Sequence, residues 1–351
     1  METGVNSEQI FSELFPRSES VRGERIFDEQ SLAAMVAELH RVSERQKRLN
    51  LDQLREEFGA AKSSLINRFS FNEKQCKYLD VLSAGVAIMR HDERELAGRG
   101  LYSRRGDATK HAKEQRIGER RNIDLHAEWQ QRMAIFFLRH RDDPNIANAL
   151  GEFWGFLVAA ERAAGLEDIA EHRIRGGQRL VTTIRCFETL GYGMRVPGAR
   201  DDTRNACDVI AGKRLSTGQS LGFLISVKPS LEDTVNIEFY GSRDPAFDVH
   251  EDALSTHLYM MRRQADPRVR SGAVKLRTVL ANMPAFTSEI QRFTGDPSSK
   301  FLDSFSRMWS TTVAEIEKKE SAGKELAAGD NKPAPAKLHR RKTYVVGKGW
   351  I

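Results

Sequence analysis

The sequence SLGFLISVKPSLEDTVNIEFY, residues 220–240, holds two apolar runs on either side of a turn-forming segment. Leu221–Val227 and Val235–Tyr240 are rich in Leu, Ile, Val and Phe, which suit the half-buried surface of a strand. The segment between them, PSLED at 229–233, has the Pro, Ser and Asp that tight turns prefer. The sequence therefore predicts one small antiparallel β-hairpin over 220–240.

Helical spacing dominates the chain on both sides of this hairpin. Leu32, Met35, Val36 and Leu39 recur at intervals of one, three and four residues, as on one buried helix stripe. Similar spacing predicts further helices. The apolar sets that carry them include Leu180, Ile184, Phe187 and Leu190; Val269, Ala273, Leu276 and Leu280; Phe286, Ile290 and Phe293; and Phe301, Phe305, Met308, Trp309 and Ile316.

These patterns predict a mainly α fold of the α+β type, with a multi-helix body in two lobes, one small antiparallel β-hairpin and flexible termini. We expect a flexible N-terminal arm at 1–27 and a helical domain at 28–175. A second helical domain with the hairpin follows at 176–320, and a disordered basic tail at 321–351. The length of 351 residues favours two domains, because single cores rarely grow past about 250–300 residues.

The composition excludes several classes of protein. Apolar residues make up 40% of the chain and charged residues 30%, which is too apolar for a fully disordered chain. Three cysteines in this length exclude a disulfide scaffold and suit a reducing compartment. The sequence has no apolar run of roughly 18 residues, the length of a membrane helix, and its acidic N-terminus lacks the basic region of a signal peptide. We therefore expect a cytoplasmic protein without membrane contact, with a receptor-read secretion address as the open alternative.

The net charge of +6 is concentrated in two short segments. Residues 99–121 hold eight basic and three acidic side chains, and residues 332–351 hold six basic and no acidic ones. The rest of the chain is therefore mildly acidic, with a net charge of −5. Concentrated positive charge attracts polyanions, because lysine and arginine neutralise phosphates and release condensed counterions.

The two basic segments supply the predicted nucleic-acid-binding residues. Tyr102 is expected to stack on an exposed base, and the cationic side chains are expected to bind phosphates. The predicted set is Arg99, Tyr102, Arg104, Arg105, Lys110, Lys113, Arg116, Arg120, Arg121, Lys337, Arg340, Arg341 and Lys342. Two alternatives stay open: the arginines of 99–121 pair with acids of the same chain, or the tail is a targeting address.

Residues 51–70, LDQLREEFGAAKSSLINRFS, resemble the helix-turn-helix pattern of bacterial repressors. Gly59 would occupy the turn, whereas Arg55 departs from the pattern, which has a small residue at that position. The resemblance implies a second helix that reads the major groove of DNA. The side chains on or near its groove-facing side would be Lys62, Ser63, Ser64, Asn67 and Arg68.

Cys207 and His250 are the candidate catalytic residues. Cys207 lies near the predicted start of a helix, where the helix dipole lowers a thiol pKa. With His250 or His257 and an acid such as Asp248, this thiol would form a triad of the cysteine-protease kind. The alternative is a buried structural cysteine.

The remaining motifs predict neither a cofactor nor a metal. The sequence 126–128 matches the His-x-Glu of zinc deaminases, but their Pro-Cys-x-x-Cys is absent from the sequence. Glycines at 191–193 and at Gly212 lack the partners of a dinucleotide fingerprint or a phosphate-binding loop.

The N-terminal arm carries Phe11, Leu14 and Phe15. Apolar residues on a mobile arm dock on a second copy of the chain or fold back on their own domain, and we expect self-association through this arm.

Together these features predict a non-enzymatic nucleic-acid-binding protein, either a regulator or a coating and packaging nucleoprotein. One alternative is a secreted effector or protein-interaction module whose basic tail is an address. A second alternative is a cysteine-dependent hydrolase. The sequence leaves open whether the nucleic acid is DNA or RNA.

Overall fold

A computed structural model describes residues 7–22, 26–45, 51–76, 78–79, 127–163, 169–230, 234–240, 251–284, 287–329, 343–345 and 349–350. Within these residues one mixed sheet has the strand order β1-β2-β3-β4-β6-β5-β7-β8. Its strands are β1 (Glu19–Ser20), β2 (Gly193–Val196), β3 (Val209–Arg214), β4 (Ser220–Pro229), β5 (Thr234–Tyr240), β6 (Val274–Met283), β7 (Thr343–Val345) and β8 (Gly349–Trp350).

Helices precede the sheet and connect its strands. They are α1 (Ser7–Leu14), α2 (Glu29–Arg45), α3 (Leu51–Phe69), α4 (127–140), α5 (Pro144–Ala163), α6 (Ile169–Thr189), α7 (Ala199–Asn205), α8 (Glu251–Arg263), α9 (Pro267–Arg270) and α10 (Ser299–Gly329). None of the helices in the described part of the chain is long and apolar enough to cross a membrane.

The predicted fold class is wrong, because the β structure is a mixed sheet and not one small hairpin. Both runs of 220–240 form strands, but they do not pair with each other. β6 lies between them, parallel to β4 with Ser220 opposite Val274, and antiparallel to β5 with Tyr240 opposite Thr278. The protein is therefore an α+β protein built around a mixed sheet, and the 220–240 hairpin does not form.

β6 replaces a helix that the sequence predicts through Val269, Ala273, Leu276 and Leu280. Val274 and Leu276 are buried on one face of the sheet, and Val279 and Ala281 on the other. A strand buried on both faces is apolar at most positions. Some of its apolar residues therefore lie at helical spacing and resemble one face of a helix.

The helix-turn-helix resemblance is also wrong. α3 is one continuous helix from Leu51 to Phe69 and runs through Gly59 without a turn. Its glycine therefore costs helix stability but does not end the helix, and residues 51–69 contain no separate second helix to read a groove.

Of three other helix predictions, two are confirmed and one is wrong. The helix through Leu180, Ile184 and Phe187 is confirmed as part of α6, and the helix through Phe301, Phe305 and Trp309 is confirmed as part of α10. The helix predicted through Phe286, Ile290 and Phe293 is wrong. Residues 287–298 form an irregular segment with a single β-bridge from Ile290 to Pro297, and Phe286 lies outside the described residues.

The core lies on both faces of the sheet. On one face α6 and α10 bring Phe187 and Trp309 against Tyr192 and Phe223, with the Phe187 and Trp309 rings 4.6 Å apart between centroids. On the opposite face α1 and α8 cover a smaller cluster around Cys207, Ile210 and Leu224. The end of the sheet where β3 begins and β4 ends carries polar residues instead, and the candidate site lies there.

Candidate functional site

Most of the predicted binding residues lie outside the described residues. This holds for all predicted positions in 99–121, for Lys337, Arg340, Arg341 and Lys342 of the tail, and for His250 and Asp248. The nucleic-acid-binding set therefore stays a prediction from the sequence.

Cys207 is described, and its surroundings do not suit a nucleophile. Its side chain is 0% exposed, and its Sγ lies 3.6 Å from the Val209 carbonyl oxygen, to which it donates a hydrogen bond. Burial raises the pKa of the Cys207 thiol well above its usual range, and the Asp208 and Asp202 carboxylates add to the effect. A protonated thiol sealed from solvent does not support the cysteine-dependent hydrolase.

The apolar residues of the N-terminal arm are buried against their own chain. Phe11, Leu14 and Phe15 are each 2% exposed, and they pack with Ile210, Leu224 and Tyr259. The segment that contains them is therefore a docked helix, α1, in the described structure.

The connection from α7 to β3 brings two carboxyl groups together. Asp202 lies in the first turn of α7, where an acidic side chain suits the helix dipole. After α7, Ala206 adopts a left-handed conformation with φ 49°, and its carbonyl oxygen accepts a 2.9 Å hydrogen bond from Thr256 Oγ1. This turn reverses the chain, so Asp208 at the start of β3 lies within hydrogen-bonding distance of Asp202.

Each carboxyl group of this acid pair, Asp202 and Asp208, is also held by a neighbour. Gln131 Nε2 of α4 donates a 2.7 Å hydrogen bond to Asp202 Oδ2. The backbone N–H of Val227 in β4 donates a 2.6 Å hydrogen bond to Asp208 Oδ2. Two separate elements, α4 and β4, therefore fix the positions of the two carboxyl groups.

The acid pair carries an electrostatic cost. Burial raises the pKa of Asp202 well above its usual range, and the charge of Asp208 raises it further, whereas Lys228 lowers it. Two carboxyl groups in contact are not both stable as anions unless a proton or a cation lies between them.

Two more polar side chains lie on the same face of β4 as the acid pair. Val209 pairs with Ile225, so the next position in the register sets Asp208 against Ser226. Ser226 is 0% exposed, and its Oγ has no hydrogen-bond partner among the described residues. Lys228 follows two residues later and therefore points to the same side of the sheet.

Sequence reasoning missed this site. The apolar run FLISV at 223–227 ends in Lys228, and Asp208 directly precedes the apolar start of β3, so both polar residues mark strand ends. Their meeting depends on the pairing of β3 with β4 and on Gln131, 71 residues before Asp202 in the chain. Neither contact has a local signature in the sequence.

The two carboxyl groups of the acid pair offer oxygen atoms as possible ligands for a metal ion. Among the described residues no group of three or more His, Cys, Asp or Glu side chains could hold a metal ion. Magnesium, however, is commonly bound by one or two carboxylates, while water and substrate phosphates complete its octahedron. Asp202 and Asp208 would supply the two carboxylates of such a site.

Comparison of the chain with protein-family models, with curated proteins and with solved structures finds no match.

Proposed function

We propose that the protein binds nucleic acid and hydrolyses its phosphodiester bonds with a divalent cation held at the acid pair. The observation that carries this proposal is the contact of Asp202 with Asp208 at the end of the sheet where Lys228 of β4 also lies. Nucleic acid is the substrate class that agrees with the two basic segments of the sequence, since both concentrate charge that attracts phosphates.

The site residues have separate tasks in this reaction. Asp202 and Asp208 would hold the cation, and a cation bound there would supply an activated water and polarise the phosphate for hydrolysis of its ester bond. The Lys228 ammonium stabilises the negative charge that develops on the phosphate oxygens.

Ser226 and Gln131 are positioning residues in this proposal. Gln131 fixes the orientation of Asp202 through its 2.7 Å hydrogen bond. The buried Ser226 hydroxyl, which bonds to none of the described residues, would hydrogen-bond to a water molecule on the bound cation.

The test is a cleavage assay on labelled DNA and RNA with Mg²⁺ or Mn²⁺, with the full chain and its Asp208→Asn variant. We expect cleavage by the wild type that stops with EDTA. Because the variant loses one of two metal carboxylates, we expect its rate to fall at least about 100-fold. Asp303→Asn, an exposed carboxylate of α10, is the matched control and should retain full activity.

Thermal unfolding without metal distinguishes lost chemistry from lost folding. In Asp208→Asn the Val227 N–H can still donate to the oxygen of the new side-chain amide, and the repulsion within the pair is gone. We therefore expect an unchanged or higher Tm for this variant. A wild type that neither cleaves nor is stabilised by Mn²⁺ would show that the pair is a structural, proton-sharing contact.

A second candidate is binding without cleavage, as in a regulator or a coating protein. The segregation of charge into 99–121 and 332–351 favours it independently of the acid pair. In that case anisotropy titrations give salt-dependent binding that Asp208→Asn leaves unchanged, and no cleavage products form with either metal.

A further inference from the structure

Two arginines of α6 lie on one face of the helix, one turn apart. Arg175 and Arg179 are four residues apart, a spacing that places side chains next to each other on a helix. Thr183 and Cys186 continue this face and are both 0% exposed, whereas the two arginines are half-buried. Arg175 and Arg179 therefore lie where the covered face of α6 opens towards solvent.

The two arginines differ in their ion pairs. Arg175 Nη2 forms an ion pair with Glu171 Oε1, one turn earlier on the helix, and the Arg175 side chain is still 39% exposed. The guanidinium of Arg179 makes no hydrogen bond or ion pair within the described part of the chain. The three charged groups of this face are thus two cations and one carboxylate.

Arg179 carries an electrostatic cost in this position. Burial lowers the pKa of Arg179 below its ordinary value, and the charge of Arg175 lowers it further. A guanidinium nevertheless stays protonated in proteins, so Arg179 is a partly desolvated cation beside a like charge. An anion that pairs with it would remove this cost, because a desolvated charge is stable only with a partner.

The tip of the Arg179 side chain is open to a ligand. Its Nε is sealed from solvent and has no hydrogen-bond partner among the described residues, so this atom faces protein. The two Nη atoms are not sealed, and the half-buried side chain presents them at the surface. Two N–H groups side by side match two oxygens of one anion.

We infer that Arg175 and Arg179 form a binding site for a terminal phosphate group, separate from the acid pair. A carboxylate has two oxygens, which the Arg179 fork occupies, whereas a terminal phosphate has a third oxygen for Arg175. This phosphate belongs either to the end of a nucleic-acid strand or to a small phosphorylated molecule, since both present the same group.

Thermal unfolding of the full chain in EDTA tests the site. The variant Arg179→Gln removes the unpaired charge and keeps a polar side chain. Its control is Arg307→Gln, which removes the same charge from an exposed position of α10. Each protein is heated in millimolar inorganic phosphate and in sodium chloride of equal ionic strength, so that charge screening is the same in both.

We expect phosphate to raise the Tm of the wild type and of Arg307→Gln by about 2 °C relative to chloride, and to leave that of Arg179→Gln unchanged. In chloride Arg179→Gln should have the same Tm as the wild type or a higher one, because the repulsion from Arg175 is gone.

Two results would overturn the site. A phosphate shift of equal size in the wild type and in Arg179→Gln would show that phosphate does not bind at Arg179. A lower Tm of Arg179→Gln than of the wild type in chloride would show that the guanidinium already has a stabilising partner in the protein.

Anisotropy titrations in EDTA identify the source of the phosphate. Labelled single strands of one sequence carry either a 5′-phosphate or a 5′-hydroxyl. If the phosphorylated strand binds about tenfold more tightly and Arg179→Gln abolishes the difference, the site holds the end of a strand. Equal binding of both strands, with the phosphate-dependent Tm, assigns it to a small phosphorylated molecule. Because no metal is present, both results are independent of cleavage at the acid pair.

Discussion

At the scale of single residues, Tyr78 shows how ionisable groups hold the N-terminal part of the chain on the helical core. Its hydroxyl donates a 3.0 Å hydrogen bond to Glu19 Oε1 and accepts one of 3.2 Å from Arg139 Nη1. Arg132 Nη1 donates a 2.5 Å hydrogen bond to Glu19 Oε2. Tyr78 is 2% exposed, so the centre of this network, which joins β1 to α4, is buried.

Tyr78 makes the free energy of unfolding depend on pH in the alkaline range. Burial, reinforced by the Glu19 charge, raises the pKa of Tyr78 above its ordinary value of 10.0. Its contribution is therefore complete below pH 10 and is lost as pH rises from 10 towards the folded-state pKa, because the unfolded state releases the proton first. We expect the free energy of urea unfolding to fall less between pH 9 and pH 11 in Tyr78→Phe than in the wild type.

Tyr259→Phe should change the pH dependence in the same direction, because burial also raises the pKa of Tyr259. At pH 7 Tyr78→Phe should cost about 1 kcal/mol from the lost hydrogen bond to Glu19. Parallel pH curves for the wild type and Tyr78→Phe would contradict the buried position of the hydroxyl.

At the scale of elements, α1 docks through one aromatic ring on two glycines. Gly212 of β3 and Gly222 of β4 are paired across the strands, and the ring of Phe11 lies on both. A Cβ atom at either glycine would come within 2.3 Å of that ring. The helix can therefore approach the sheet only because both side chains are absent.

This contact predicts coupling between Phe11 and Gly212. Phe11→Ala should lower the free energy of unfolding by about 3–5 kcal/mol, as for other buried phenylalanines, whereas Gln9→Ala on the exposed side of α1 should be neutral. Gly212→Ala should destabilise the wild type but cost much less in the Phe11→Ala background, because the obstructing ring is gone. Additive losses in urea denaturation would contradict the contact.

The elements also show what a sequence of this kind predicts and what it does not. The apolar spacing identifies α6 and α10, and the runs of 220–240 identify β4 and β5 as strands. Their pairing is not predictable in this way, because residues 230–233 are short enough for a hairpin, yet β6 inserts from far along the chain. The sequence does not predict the acid pair for the same reason, since Asp202, Asp208 and Gln131 come together only after strand order and helix packing are set.

At the scale of the whole molecule, one apolar core connects the two parts that the sequence predicts as separate lobes. The cluster contains Val21 and Trp129 from the first part and Phe223 and Trp309 from the second. The predicted boundary at 175–176 falls inside α6, whose residues pack both on α5 and on the sheet. An interface of this kind resembles the interior of one domain more than a contact between two.

A shared core predicts that the two parts unfold together. We expect one transition in urea, with the same midpoint for helix content by far-UV circular dichroism and for tryptophan fluorescence. Ile184→Ala, at a fully buried position of α6, should lower that single midpoint for both probes, because the side chain contributes about 2–5 kcal/mol to one core. Two separated midpoints, with only one of them moved by Ile184→Ala, would instead show independent lobes and would place the boundary within α6.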